Sequence, residues 1–324
     1  MEIWYNYPLV IVIWRILLML SVIIPAYNEE EMIKKTSETI SGILVEEKID
    51  FELLFINDGS VDNTWNVINE ESARDPRVKG VCFSRNFGKE SAVFAGIAEA
   101  TGDCCVVLDC DLQHPPEKIV DMYRLWEQGY EIVEGVKASR GKESAMHKFA
   151  AKSFYDIMSN AVGFDMSRAS DYKLLDRKAM NVLLNMDEKN AFFRALSSWI
   201  GFKSTEVTYD VREREAGVSK WSTRALFKYA INNITSFTSA PLHLVTISGV
   251  VVTVLGVGFS VEALYRHFFI HNDEPGFTTL IVLMCFVSAV IMFGLGVIGT
   301  YISKIYDEVK GRPRYIIDRT TYEK

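Results

Sequence analysis

Two long stretches of the 324-residue chain contain no Asp, Glu, Lys or Arg: Ala240 to Val261 and Phe277 to Ser303. A helix needs about 20 residues to cross a bilayer core, so each run is long enough, and two back to back near one end fit a soluble core poorly. A basic surplus is also missing. With 35 Lys and Arg against 42 Asp and Glu, the net charge is −7, which repels a phosphate backbone and argues against a nucleic-acid partner. Cysteine is scarce, and none of the five sits in a paired metal-ligand spacing. Cys82, Cys104, Cys105 and Cys110 lie in apolar runs and read as small buried hydrophobes in a reducing compartment. No internal repeat or low-complexity segment is present.

The charges that are present orient the chain. Lys220, Arg224 and Lys228 precede the first apolar run, and Lys304, Lys310, Arg312 and Arg314 follow the second. The loop between them offers Arg266 against Asp273 and Glu274. Basic flanks stay on the cytoplasmic side, so the large N-terminal part is expected to face the cytoplasm. In "SKWSTRALFKYAINNITSF", Phe227, Ile231, Ile234 and Phe237 form one helical stripe, with Arg224 and Lys228 on another side. That pattern suits a helix lying at the membrane surface; an ordinary amphipathic helix packed on the domain is the alternative. Residues 1–18 are apolar but broken by Arg15. They fit an interfacial anchor, a third span, or an extension ahead of a natural start at Met19, and lack the small-residue cleavage site of a signal peptide.

From Leu20 the chain alternates. "LSVII", "FELLFI", "VKGVCF", "CCVVLD" and "EIVEGV" read as strands, with helical stretches between them. Near-continuous apolar strands alternating with helices imply a mostly parallel α/β sheet covered on both faces. Ligands in such sheets bind beyond the carboxyl ends of the strands. "PAYNEE", "NDGS" and "DCDLQ" all fall there. After Gly141 the alternation loosens into a helix near 144–161, a strand at "SDYKLL", a helix and a strand at "STEVTYDV".

Within "CCVVLDCDLQHPPE", Asp109 and Asp111 are two residues apart, with Gln113 two further on. In extended backbone such side chains share a face. Two carboxylates on one face repel unless a cation or strong donors compensate, and oxygen donors of this kind suit a hard divalent ion bridging to substrate phosphates. D-x-D alone also marks turns and helix caps. Asp58 and Glu29 offer acceptors to a nucleotide, Pro25 ends a strand, and Tyr27 offers a flat face for stacking.

Taken in order, "SVIIPAYNEE", "FINDGSVDNT", "SRNFGKESAVFAGIAEATGD", "VVLDCDLQHPPE" and "DYKLLDRKAM" resemble the membrane-associated family-two glycosyltransferases of GT-A fold. "REREAGVSKW" and the terminal pair of apolar runs are similar to the polyprenyl-phosphate branch, which includes bactoprenol glucosyltransferases and dolichyl-phosphate mannosyltransferases. The resemblance implies a Rossmann-like GT-A domain over 19–215, a loop and interfacial helix over 216–238, a two-helix membrane hairpin over 239–303 and a cytoplasmic tail over 304–324. It implies that Pro25, Tyr27, Glu29, Asp58 and Asp109 meet the nucleotide, and that Asp109, Asp111 and Gln113 hold Mg²⁺ or Mn²⁺. Asp171 would stand beside the reacting sugar, with Asp111 sharing the catalytic role. Arg140, Arg214 and Lys220 would meet phosphate groups.

The implied reaction is inverting transfer of a hexose from a nucleotide diphospho-sugar, UDP-glucose first, to polyprenyl phosphate at the cytoplasmic leaflet of the inner membrane. GDP-mannose and UDP-N-acetylglucosamine are the alternative donors. A homo-oligomer and a downstream flippase partner also follow from the resemblance. A processive synthase is disfavoured, because "FFRALSSWIG" lacks the Q-x-x-R-W segment. A nucleotide-binding membrane adaptor is the non-enzyme alternative.

Overall fold

The computed structural model describes residues 18–138, 159, 169–186, 188, 192–210, 234–236, 238–265, 269 and 276–323. The described residues up to 210 and from 313 onward form one compact unit, and those from 234 to 312 form a second.

The first unit alternates as the sequence implies: β1 (Met19–Ala26), α1 (Ile33–Glu46), β2 (Asp50–Asn57), α2 (Thr64–Arg74), β3 (Val78–Phe83), α3 (Lys89–Glu99), β4 (Cys104–Val107), α4 (Lys118–Glu127) and β5 (Ile132–Lys137). Then come β6 (Lys173–Asp176), α5 (Arg177–Leu184), α6 (Phe193–Trp199) and β7 (Ser204–Tyr209). A last strand, β8 (Ile317–Thr320), follows the second unit in sequence but belongs to this sheet. The eight strands run in the order β7–β5–β6–β4–β1–β2–β3–β8. Pairing is parallel except at β6, antiparallel to both β4 and β5, and at β8, antiparallel to β3.

Burial explains the parallel core. Leu20, Val22, Ile23 and Ile24 of β1 are all inaccessible, as are Leu53, Leu54, Phe55 and Ile56 of β2. Consecutive residues point to opposite faces, so both faces of these strands are covered. The four cysteines of this unit are buried free thiols.

The segment 304–324, expected as a tail, is used otherwise. Its first residues extend a membrane-type helix to Val309, and its last ones complete the sheet. Thr321 exchanges hydrogen bonds with Gly80, its N–H reaching the carbonyl at 3.0 Å and its Oγ1 accepting at 2.9 Å. Tyr315 stacks on Phe83 at 5.1 Å between ring centres, and Tyr322 Oη donates to Glu99 at 2.9 Å.

The second unit holds α7 (Ala240–Tyr265) and α8 (Phe277–Val309). Ala240–Glu262 and Val282–Val309 are long and apolar enough to cross a bilayer. Their side chains, among them Val254, Phe259, Met292 and Ile302, stand largely exposed, the reverse of a soluble core pair. The Tyr301 hydroxyl donates to the Thr238 carbonyl at 2.6 Å within this unit. Residues 1–17, the helix expected near 144–161 apart from Ser159, and 216–238 apart from 234–236 and 238 lie outside the described residues.

Candidate active site

Sheet register creates the site. Val107, the last residue of β4, pairs with Lys173, the first of antiparallel β6. Two residues beyond each end stand Asp109 and Asp171, so the chain brings together two carboxylates 62 positions apart. The side chain between them is Lys89, the first residue of α3. Its Nζ lies 2.6 Å from Asp109 Oδ1 and 3.0 Å from Asp171 Oδ2. Arg194, the second residue of α6, closes on Asp171 from another side, with Nε to Oδ1 at 2.6 Å and Nη2 to Oδ2 at 2.7 Å. This two-pronged contact is the strong form of a charge-assisted pair.

The loop that delivers Lys89 is held by Asp58 at the end of β2. Phe87 N–H donates to its Oδ1 at 2.6 Å and Gly88 N–H to its Oδ2 at 2.9 Å. Asp58, assigned from the sequence to a nucleotide, is thus a buried clamp on the β3–α3 loop, with each oxygen accepting a backbone N–H. Gly59 makes the turn possible. It sits at φ +64°, and a Cβ there would strike the Arg85 carbonyl carbon and come within 2.6 Å of Asn86 N. The loop after β1 is tied to the same turn. Asn28 N–H donates to Ser60 Oγ, Asn28 Oδ1 accepts from Val61 N–H, and Glu29 N–H donates to Thr64 Oγ1. Pro25 is in register with Ile56 of β2, and Tyr27 beyond it is 38% exposed.

The D-x-D segment departs from its expected geometry. β4 ends at Val107, residues 110 and 111 form a turn, and Leu112 takes φ +53°. The backbone is therefore not extended through the two aspartates, and the shared-face argument does not apply to them. Asp109 turns to Lys89, while Asp111 Oδ1 accepts from Gln113 N–H at 3.2 Å. The turn is anchored by Thr36 Oγ1, which donates to the Cys110 carbonyl at 2.8 Å. His114 stacks on Tyr172 at 5.2 Å, with its Nδ1 4.0 Å from Asp109 Oδ2.

Electrostatics follow from this packing. Burial alone would raise the Asp171 carboxyl, but Lys89 and Arg194 overcome it and hold the group well below the usual carboxylate range. Asp109 is likewise lowered, with burial opposed mainly by Lys89. Lys89 is raised, since the two carboxylates outweigh the partial desolvation of an ammonium whose side chain stays 42% exposed. Glu90 goes the other way. Half-buried beside anionic Asp171, it is pushed up to about 7 by desolvation and that neighbouring charge, while its Oε2 accepts the Phe193 N–H at 2.9 Å. Burial also pulls His114 down, which favours the neutral ring.

Lys89, Glu90 and Arg194 were not singled out from the sequence. A signal existed for the two cations: each stands in the first turn of a helix, where the macrodipole disfavours positive charge, so each needs a carboxylate nearby. Arg140, Arg214 and Lys220 lie outside the described residues.

The donor set fits a hard divalent ion. Asp109, Asp111 and Gln113 offer oxygen ligands at one turn, and no described group of three or more His, Cys, Asp or Glu could hold an ion alone. One or two carboxylates completed by substrate phosphates is the usual arrangement for Mg²⁺.

Residues 21–184 match the model of glycosyl transferase family 2. The chain belongs to that family. This glycosyltransferase is 39% identical over 301 residues to the uncharacterized glycosyltransferase YkcC of Bacillus subtilis (strain 168), covering 93% of each chain. It is 33% identical over 302 residues to the SfII prophage-derived bactoprenol glucosyl transferase of Shigella flexneri, covering 93% of this chain and 98% of that one. Among solved structures it is similar to glucosyl-3-phosphoglycerate synthase from Mycobacterium tuberculosis, in complex with Mn²⁺, UDP-glucose and glycerol 3-phosphate. There the identity is 20% and the TM-score 0.48, over 72% of this chain and 84% of that one. The match to the Shigella relative covers 93% of this chain, more than the sheet-bearing unit alone contains, so it reaches into the residues of the apolar helices.

Proposed function

We propose that this glycosyltransferase moves a glucosyl group, with inversion, from UDP-glucose to a polyprenyl phosphate at the cytoplasmic leaflet of the inner membrane. The observation that carries this reading is the extent of the likeness to a bactoprenol glucosyl transferase. It runs over 98% of that protein and 93% of this chain, too long a match to be confined to the sheet-bearing unit. A lipid acceptor cannot leave the bilayer, and the two helices would hold the enzyme where the headgroup is concentrated. The basic residues flanking the two apolar runs, Lys220, Arg224 and Lys228 before and Lys304, Lys310, Arg312 and Arg314 after, support a multi-pass topology with the sheet in the cytoplasm.

Asp109, Asp111 and Gln113 would hold Mg²⁺ or Mn²⁺, which when bound supplies positive charge opposite the departing diphosphate. Arg214 and Lys220 would add to that charge, and Arg140 would meet the acceptor phosphate. Pro25, Tyr27, Glu29, Asp58 and Asp109 would line the nucleotide. Asp171, ion-paired to Lys89 and Arg194, stays ionised throughout the neutral range and is a weak base. A phosphate monoester has its second pKa near ~6 and needs little deprotonation at neutral pH. Asp171 therefore orients the acceptor and stabilises positive charge on the anomeric carbon instead of taking a proton. The product would then pass to a flippase, and the enzyme would work as a homo-oligomer.

The test is a panel of radiolabelled nucleotide sugars offered to membranes containing the enzyme and undecaprenyl phosphate, with and without EDTA. Labelled glucose should enter the lipid fraction from UDP-glucose, fail to enter it with EDTA, and carry the inverted configuration by NMR. Transfer of another sugar in its place, or retained configuration, overturns the respective part of the reading.

A further inference from the structure

Asp109 and Asp171 face Lys89 and Arg194, two carboxylates against two cations. Lys89 Nζ sits 2.6 Å from the Asp109 Oδ1 oxygen. A divalent ion using that oxygen meets an ammonium already in place, and arriving alone it must share Asp109 with a cation that already neutralises it. The stem of Lys89 is long and rotatable, and its place in the first turn of α3 gives it no help from the helix dipole. Its hold on Asp109 is therefore strong enough to compete but can be reversed.

We propose that Lys89 is a built-in competitor for the divalent ion at Asp109, which makes metal binding depend on the arrival of the donor diphosphate. This inference rests on the metal reading given above. Without the donor, Lys89 occupies Asp109 and keeps a bare ion out. The negative charge of a nucleoside diphosphate both offsets the incoming ion and offers the ammonium a new partner, so ion and donor enter together. The device would spare the enzyme a bound metal with no substrate, and it makes Lys89 a positioning residue that sets the order of binding.

The test measures Mn²⁺ binding to the full chain in detergent by the electron paramagnetic resonance of the free ion, with and without UDP. In the wild-type protein, UDP should tighten Mn²⁺ binding by at least about 10-fold. Lys89→Met should bind Mn²⁺ alone at least about 10-fold more tightly than wild type, with most of the UDP dependence lost. Lys89→Gln should do the same, and Lys89→Arg, which keeps the charge, should resemble wild type. Should Lys89→Met and Lys89→Gln melt as wild type does yet bind bare Mn²⁺ no more tightly, while UDP still promotes binding in wild type, the competition is refuted and the metal reading stands. An absence of Mn²⁺ binding in every variant, with or without UDP, overturns both.

Discussion

Replacing Lys173 by methionine is the sharpest perturbation of the site's foundations. Lys173, on β6 two residues after Asp171, is fully buried. Its Nζ lies 2.7 Å from Glu134 Oε1 on β5, 2.7 Å from Ser197 Oγ and 3.3 Å from Ser198 Oγ on α6. Ser198 Oγ also donates to Glu134 at 3.0 Å. At an effective dielectric of about 20, unit charges at this separation attract by roughly 6 kcal/mol, much of it cancelled by desolvation. Removing the lysine leaves Glu134 largely buried with only Ser198 to satisfy it and no cation, at a cost of about 3–5 kcal/mol. For a domain of this size that corresponds to a melting temperature lower by about 10 °C. The same change detaches α6 from β6, and α6 carries Arg194. Transfer at a temperature where both proteins remain folded should fall by roughly 10- to 100-fold through misplacement of Asp171. Scanning fluorimetry on the full chain in detergent gives the first quantity, and a radiolabel transfer assay the second. The double variant Lys173→Met with Glu134→Gln removes both charges and should regain most of the stability. A single variant that melts within about 2 °C of wild type would refute the reasoning, because it would mean that Glu134 loses nothing when its cation goes.

Other perturbations separate the parts of the site. Gly59→Ala must adopt a left-handed backbone and push into the Arg85–Asn86 main chain, so a loss of about 2–4 kcal/mol is expected. Gly129→Ala, at φ +90° with no atom within 4 Å of the added Cβ, should lose only about 1 kcal/mol by the same melting assay. Glu90 has a folded pKa of about 7, above its ordinary 4.5, so the folded state binds its proton more tightly and loses stability as pH rises through that window. Glu90→Gln should therefore be the more stable protein at pH 8, by on the order of 2 kcal/mol, with the gain vanishing towards pH 4.5 in denaturation measured across pH. Arg194→Lys keeps the charge on Asp171 but not the two-pronged geometry, and should slow transfer by about 10-fold with little change in the melting temperature.

Much of the sheet was legible because its central strands are buried on both faces and so write themselves as unbroken apolar runs, "LSVII" and "FELLFI" above all. β8 was not, since a four-residue edge strand, "IDRT", carries no such run. Its partner β3 lies some 240 positions earlier, beyond the reach of any local pattern. Asp58, Asp109 and Asp111 could be found because they cluster after strand ends, whereas Asp171, which precedes β6, came from the family resemblance. Their partners could not. That Lys89 bridges Asp109 and Asp171 depends on β6 running antiparallel to β4, a fact of topology. The periodicity argument for Asp109 and Asp111 failed for a local reason: it assumed extended backbone two residues past the point where hydrogen bonding to the neighbouring strands stops.

The late position of β8 also governs how this enzyme can be made. A ribosome synthesises that strand after both apolar helices, so the β3 edge waits uncapped until then. Shortening the gene before residue 240 to obtain a water-soluble catalyst would strip this edge of its cover and invite strand-to-strand aggregation. A circular permutant or a short linker carrying residues 313–324 back onto the sheet is the rational route to such a catalyst.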